Sequence, residues 1–495
     1  VSVYIKKILP QKKKIKLVYY IKPVLGEDEE QTKGWIGTEF VKKANTILAK
    51  NYGGEIIPGY AYVTSSEEIQ SYTGSKSFFI GNGSLQNPEA MHKKGLNGEN
   101  SLGQEGIIAI EVEVNLEALE QKEISFVFGM EENKIQCLDK AYQYSNIQNC
   151  EKALEEVQRY WQETIQKLQV ETPLESFNIL MNGWMIYQAM VSRLWARSAY
   201  QQSGGALGFR DQLQDTLGLK YTMPEKMRNQ IIKHSRHQFQ EGDVEHWWHE
   251  ETGRGIRTRF SDDLLWLVYL TEEYCKVTGD TSLLEEQTPF LEGAPLEEGE
   301  DERYDLYLET EETASIYEHC TRAIGKAMQF GENNLPKIGS GDWNDGLSTV
   351  GNKGKGESVW LGFFLYDILQ RWIPVQEKQI EKWETEGKEE LIEREKTYQE
   401  EYKKSMEMLK KALNTNAWDG RWFRRAFCDD GEILGTIQNE ECKIDGISQS
   451  WATISGAGDN DKKYISLESL ENHLVDKENG LIRLLDPPFE KSNLE

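Results

Sequence analysis

The spacing of apolar residues changes once along this chain. Up to about residue 132 they come in short alternating runs: "KLVYYIKPVLG" from Lys16, then "EIIPGYAYVTSS", "KSFFIGNG", "GIIAIEVEVNL" and "EISFVFGMEE". Each run is rich in β-branched or aromatic residues and is bounded by Gly, Asn, Ser or Pro. A period of two sends successive side chains to opposite faces of a strand, so the interleaved apolar and acidic residues after Gly106 predict a half-buried strand. Runs at these intervals suit an antiparallel sandwich, and residues 1–132 are read as one.

From Asn146 the pattern turns helical. Phe177, Leu180, Trp184, Tyr187, Val191 and Leu194 recur at helical spacing after a Thr172–Pro173 start signal. Ser261, Asp262 and Asp263 read as the cap of a second apolar helix, "LLWLVYL", and "ASIYEHCTRAIGKAM" and "VWLGFFLYDILQRW" predict two more. Residues 376–412, dense in Glu and Lys, read as exposed helical surface. With no repeat and no strand–helix alternation, the second part of the chain is expected to be all-α.

The chemistry lies in four loops between these helices. "KIGSGDWNDGLSTVG", 337–351, sets Asp342 and Asp345 on either side of Trp343 in a stretch too glycine-rich for a helix. Glycine lets backbone approach a ligand closely, and an acid beside an indole can hold a sugar and protonate it. A turn with solvated aspartates has the same composition. "ARSAYQQSGGALGFRDQLQD", 196–215, places Arg197 at a helix end and groups Arg210, Asp211, Gln212, Gln214 and Asp215. Arginine forks match sugar hydroxyls and phosphate oxygens, although Arg210 and Asp215 would also fit as an ion pair bracing the loop.

"EGDVEHWWHEETGRGIRTRFSDD", 241–263, carries Trp247 and Trp248, suited to sugar contact or to a core. His246 and His249 precede Glu250 and Glu251, but the H-E-x-x-H order is absent and no metal is expected. "CKIDGISQSWATISG", 442–456, offers the Gln449 amide and the Trp451 indole. The glycine-rich stretches lack the phosphate-loop pattern G-x-x-x-x-G-K-[ST], which argues against a nucleotide site.

Composition narrows the classes. A length of 495 residues predicts two or three domains. The formal charge of −26 argues against nucleic acid or an anionic membrane as partner, since both need concentrated cationic surface. Six cysteines without C-x-x-C spacing read as reduced thiols of a cytoplasmic protein. No apolar run nears the roughly 18 residues of a membrane span, and no signal peptide opens the sequence.

Together "GFRDQLQD", "HWWHEETGRGIRTRFSDDLLWL", "GDWNDG" and "SQSWATISG" resemble the inverting glycoside phosphorylases of glycoside hydrolase family 94. That family includes cellobiose, chitobiose and 1,2-β-oligoglucan phosphorylases and the phosphorylase-like part of cyclic β-1,2-glucan synthase. The resemblance covers nearly the whole chain, and "YYIKPVLG" looks nearest the last branch. It implies a β-supersandwich over 1–132, a helical linker over 133–171, and an (α/α)6 barrel over 172–495 that is incomplete at its C-terminal end.

The resemblance also implies an activity: inverting phosphorolysis of β-linked glucosides to an α-sugar 1-phosphate. An inverting glycosidase needs an acid for the leaving oxygen and a base to activate water. Phosphate is already an anionic nucleophile, so a phosphorylase keeps the acid alone. By resemblance that acid is Asp345. Trp343, Arg210 and Asp215 belong to the donor-sugar subsite, Gln449 contributes an amide, Arg197 binds phosphate, and Asp342 is structural, bonding loop amides. These site residues are expected to converge on one pocket. An oligosaccharide and phosphate are the implied partners, with inorganic phosphate as co-substrate, no other cofactor, and room for a homodimer.

One departure qualifies this. In the family, motifs after "QSW" supply a glutamate and a phosphate-binding histidine and threonine. Here only His473 follows His319, in "LENHLVDKEN", which does not match, and the sequence runs from Val1 to "LLDPPFEKSNLE". The expectation is a fragment of a longer enzyme with little phosphorolysis of its own. A non-catalytic carbohydrate-binding remnant and an inverting glycosidase using water are the alternatives.

Overall fold

The computed structural model describes residues 2–6, 12–26, 29–53, 59–195, 206–250 and 252–491. Arg197, with Gly204 and Gly205, lies outside the described residues. The chain divides into two compact units, Val1–Trp184 and, apart from residues 196–205, the part from Met185 onward.

The first unit is built on eight strands: β1 (Ser2–Lys6), β2 (Lys13–Ile21), β3 (Ile36–Val41), β4 (Thr46–Asn51), β5 (Tyr60–Ser65), β6 (Ile69–Ser75), β7 (Gly106–Leu116) and β8 (Gln121–Glu131). They form two antiparallel sheets, ordered β1-β8-β5-β4-β3 and β2-β7-β6. Residues 117–120 carry the chain from one sheet to the other. The strand after Gly106 is not half-buried as its alternation predicts: Ile107 and Ala109 are buried in a second cluster on the opposite face, and Glu111 is buried with them. Ile108, Ile110, Val112 and Val114 enter the core between the sheets, where they meet Ile47, Ala61, Val63, Ile124 and Phe126.

A helix over Lys134–Tyr144 follows. It is capped by Asn133, whose side chain accepts from the Ile135 and Gln136 amides. Cys137 and Ala141, one turn apart, seal it against Leu48 and Tyr62. A longer helix spans Ile147–Ile165.

The second unit is mixed α/β, which departs from the all-α expectation. Its centre is the helix Asp263–Thr278, in which Leu264, Leu265, Trp266, Leu267 and Val268 are all buried. Five consecutive buried residues mean packing on every side, which is why this helix shows no polar face. Helices Val359–Glu386 and Glu389–Thr415 are joined through Gly387, whose φ of 70° ends the first of them. Tyr402, Leu409 and Leu413 face inward from the second, while most of its Glu and Lys positions face out.

The unforeseen strands include β9 (Leu207–Gly208), β10 (Glu245–His249), β11 (Arg254–Thr258), β12 (Gln287–Glu292), β13 (Glu302–Leu306) and β14 (Leu308–Ser315). They make an antiparallel sheet ordered β13-β11-β10-β9 and a β12-β14 pair. Each is two to eight residues long inside a polar loop, too short for a period of two to stand out. Among the described residues no helix is long and apolar enough to cross a membrane.

Candidate active site

The site is built where the short helix Phe209–Asp215 meets the loop 337–351 and the start of the 263–278 helix. Arg210 holds these together. Its side chain is 7% exposed. One guanidinium nitrogen lies 3.2 Å from Asp262 Oδ2 and donates to the Asp342 carbonyl at 3.2 Å, and the other reaches Asp345 Oδ1 at 2.8 Å. Burial works against a charge on Arg210, but Asp262, Asp263 and Asp345 outweigh it and keep the guanidinium charged.

Asp262 occupies the cap position of its helix yet makes no capping bond. Its carboxylate turns to Arg210 and to the indole N–H of Trp266, at 3.1 Å. Its complete burial outweighs Arg210 and pushes its carboxyl up to about 7. The reading of Asp262 as a plain cap is thus corrected: the helix start is open because its carboxylate serves the arginine.

Asp342 and Asp345 part company within one turn of loop. Asp342 is fully buried; it accepts from Arg425 at 2.5 and 2.7 Å, from the Ser358 hydroxyl at 2.7 Å and from the Asn344 amide at 3.1 Å. Burial alone would raise its carboxyl, but Arg425 first and Ser358 after it hold it below the usual carboxylate range. Asp345 has a side chain 55% exposed and opens a single helical turn, Asp345–Leu347, capped by Asn344. Gly339, with φ of 63°, lets the loop pass so close to Arg259 that a Cβ would lie 2.0 Å from its carbonyl oxygen.

A cavity of about 520 Å³ is lined by Arg193, Arg210, Asp211, Gln214, Asp215, Leu217 and Trp343; Asp345 does not line it but is bound to Arg210, which does. Trp343 is 37% exposed, and its indole donates to Gln214 Oε1 at 3.3 Å. Asp215 takes Arg193, not Arg210, as its partner, at 2.8 Å. Burial raises its carboxyl above the usual range despite that arginine. A larger cavity, 710 Å³, is bounded by Arg257–Ser261, Pro295–Leu296 and Gly351–Gly354 and includes none of these site residues.

The structure thus gathers Arg210, Asp215, Trp343 and Asp345. It does not bring Gln449 to them. Gln449 is fully buried, and its amide is spent on backbone: Nε2 donates to the Phe423 and Asp445 carbonyls, and Oε1 accepts from the Phe423 amide. Two of these three bonds are to Phe423, 26 residues upstream, and no local pattern announces them. Trp248 is core, 1% exposed and stacked on His237 at 3.7 Å, whereas Trp247 lies against Tyr304.

Sequence reasoning missed Arg193 and His246. Arg193 stands four residues before Arg197, a helical spacing that was available as a signal. His246 was weighed only with His249 as a metal pair. In the fold its Nδ1 contacts Asp263 at 2.7 Å, and no nearby pattern points to that partner.

A cavity edged by an indole, two arginines and two carboxylates has the groups to grip a polyhydroxylated ligand, and the half-exposed Asp345 bound to Arg210 is a carboxyl group open to solvent. Residues 160–495 match the description "Glycosyl hydrolase 94 superfamily, catalytic domain", and residues 1–147 match "Glycosyl hydrolase 94, supersandwich domain". The chain belongs to glycosyl hydrolase family 94.

Among curated relatives it is 36% identical to the cyclic β-(1,2)-glucan synthase NdvB of Rhizobium meliloti strain 1021, over 97% of this chain and 16% of that protein. It is 25% identical to N,N'-diacetylchitobiose phosphorylase of Vibrio proteolyticus, over 86% of this chain and 52% of that one. It is 28% identical to solabiose phosphorylase of Paenibacillus borealis, over 66% and 37%. The chain therefore spans between about a sixth and about half the length of these relatives.

Proposed function

We propose that this chain carries a glycoside phosphorylase site that cleaves β-linked glucosides with inorganic phosphate, inverting the anomeric centre to give an α-sugar 1-phosphate. Asp345 is the single general acid, and Trp343, Arg210 and Asp215 form the donor-sugar subsite. Arg197 is the proposed phosphate ligand. The helices of the second unit then belong to an (α/α)6 barrel, with its β-hairpins as loops around the mouth.

One observation supports this reading above the others. Of the carboxylates gathered on Arg210, Asp345 alone has a largely exposed side chain, 55% against 0% and 1% for Asp262 and Asp263. It is thus the carboxylate that a sugar can reach. Arg210 orients it, and proton donation to the leaving oxygen supplies typically 10²–10⁴-fold of the rate.

The test is phosphate dependence. β-linked gluco-oligosaccharides incubated with a protein carrying this chain should yield α-sugar 1-phosphate only when inorganic phosphate is present. Equal release of free sugar without phosphate would replace this reading with an inverting glycosidase, in which a second carboxylate such as Asp215 activates water. Sugar binding with no turnover in either condition would leave a carbohydrate-binding remnant.

A further inference from the structure

His246 has no role in the account so far, yet the fold aims it at the acid. β10 and β11 slip register between Glu245 and Trp247, so His246 sits on a bulge, a device that redirects one side chain. Its ring lies flat on Phe260, with centroids 4.3 Å apart and planes within 4°. Nδ1 is 2.7 Å from Asp263 Oδ2, and Nε2 is 3.9 Å from Asp345 Oδ2. Arg210 approaches the other carboxylate oxygen of Asp345 at 2.8 Å.

The charged groups facing this imidazole are Asp263 from the 263–278 helix, Asp345 from the 337–351 loop and Arg210 from the 209–215 helix. Phe260 covers the remaining face without charge. Burial alone would strip the ring of its proton, but Asp263 and then Asp345 outweigh burial and Arg210 and push its pKa up to about 9.

We infer that His246 is a positioning residue for Asp345: Asp263 holds its ring at Nδ1 so that Nε2 stands 3.9 Å from Oδ2 while Arg210 holds Oδ1, and the two side chains together set the plane of the carboxyl group. This rests on the reading of Asp345 as the acid. The charge on His246 then matters beyond orientation. An imidazolium carries hydrogen on both nitrogens and cannot take a proton from Asp345. A neutral ring that keeps its one N–H on Nδ1 for Asp263 turns a lone pair toward Oδ2 and diverts the acid's proton from the glycosidic oxygen.

Proton bookkeeping leaves His246 unchanged through the cycle. Asp345 gives its proton to the leaving oxygen as the glycosidic C–O bond breaks and a phosphate oxygen bonds to the anomeric carbon. Hydrogen phosphate releases one proton to solvent on becoming the ester dianion, and Asp345 regains one from solvent.

Two measurements test this together. In residues 1–495, imidazole NMR should show His246 charged through neutrality and deprotonating near pH 9. Asp263→Asn should lower that transition by about one unit or more, since it removes the anionic partner. A neutral His246 at pH 7 overturns the proposal whatever the activity.

In phosphorolysis assays, the alkaline fall in rate should come at a different pH in Asp263→Asn than in the unaltered protein. His246→Ala should lose roughly 10²-fold in kcat, the scale of a misplaced catalytic group. KM should stay within about twofold, and imidazole in the buffer should restore part of the rate. His246→Gln, should the alanine variant fold poorly, should lose less and lack this alkaline limb. An alkaline limb unmoved in Asp263→Asn, or no rescue by imidazole, overturns the proposal. Absence of phosphorolysis in every form of a longer protein carrying this chain overturns the function proposed above, while the titration still decides whether the clamp exists.

Discussion

Two arginines in the second unit each collect carboxylates, and their surroundings differ. Arg425 and Asp342 are 1% and 0% exposed, and Ser358 and the Asn344 amide complete the Asp342 shell. Asp445 stands 3.5 Å from Arg425 on another side, its carboxyl raised by burial. Arg210 is nearly as buried, but it holds one carboxylate, Asp345, that opens to solvent. A charge network with every group sealed in braces the fold. One with a carboxylate left open to solvent can meet a ligand. Asp342 and Asp345, three residues apart, sit on either side of that division.

The largest expected effect that sharpens the contrast is on stability. Arg425→Leu strands Asp342 as an uncompensated buried charge, a change that costs about 3–5 kcal/mol in such pairs. Denaturant unfolding should show that loss, and a loss under about 1 kcal/mol would mean the network is not the brace described.

That much separation was only partly legible in the sequence. The β-sandwich showed clearly because its strands are β-branched and aromatic runs bounded by turn residues, although 106–116 is buried on both faces rather than one. The 263–278 helix was visible as an apolar run, but its cap was misread because Asp262 spends its carboxylate 52 residues upstream, on Arg210. "GDWNDG" announced Asp345 and Trp343 together, since glycine-rich turns keep chemistry local. Gln449 fell on the wrong side because a buried amide and a ligand-binding amide look alike in one dimension. The β10–β11 hairpin, and with it His246, was hidden by five-residue strands inside a loop.

pH should separate the two networks next. Asp342, held below its ordinary value of 3.8, contributes stability above about pH 4 that is lost as pH falls through its lower folded value. Asp262 works the other way. Raised by burial above its ordinary value of 3.8, it keeps in the folded state a proton that the unfolded chain has released, so stability falls as pH rises above about 4. Asp262→Asn should flatten that decline, and an unchanged slope there would contradict the assignment.

Gln449→Leu should cost about 1–3 kcal/mol, because it leaves the Phe423 amide and carbonyl unpaired in the interior. Sugar affinity, measured by calorimetry, should stay within twofold, and a large selective loss of affinity would return Gln449 to the site. Trp343→Ala should give the smallest change. It weakens sugar binding by up to about tenfold, the scale of one aromatic contact, with unfolding unaffected.

The most direct test sets Asp345→Asn against the unaltered protein, with turnover and sugar binding measured in parallel. An amide keeps the shape of the side chain and cannot donate the proton that the leaving oxygen needs. Phosphate-dependent release of α-sugar 1-phosphate should fall by at least about 10²-fold while the dissociation constant for the sugar and the unfolding midpoint hold. Undiminished turnover in Asp345→Asn would contradict the account.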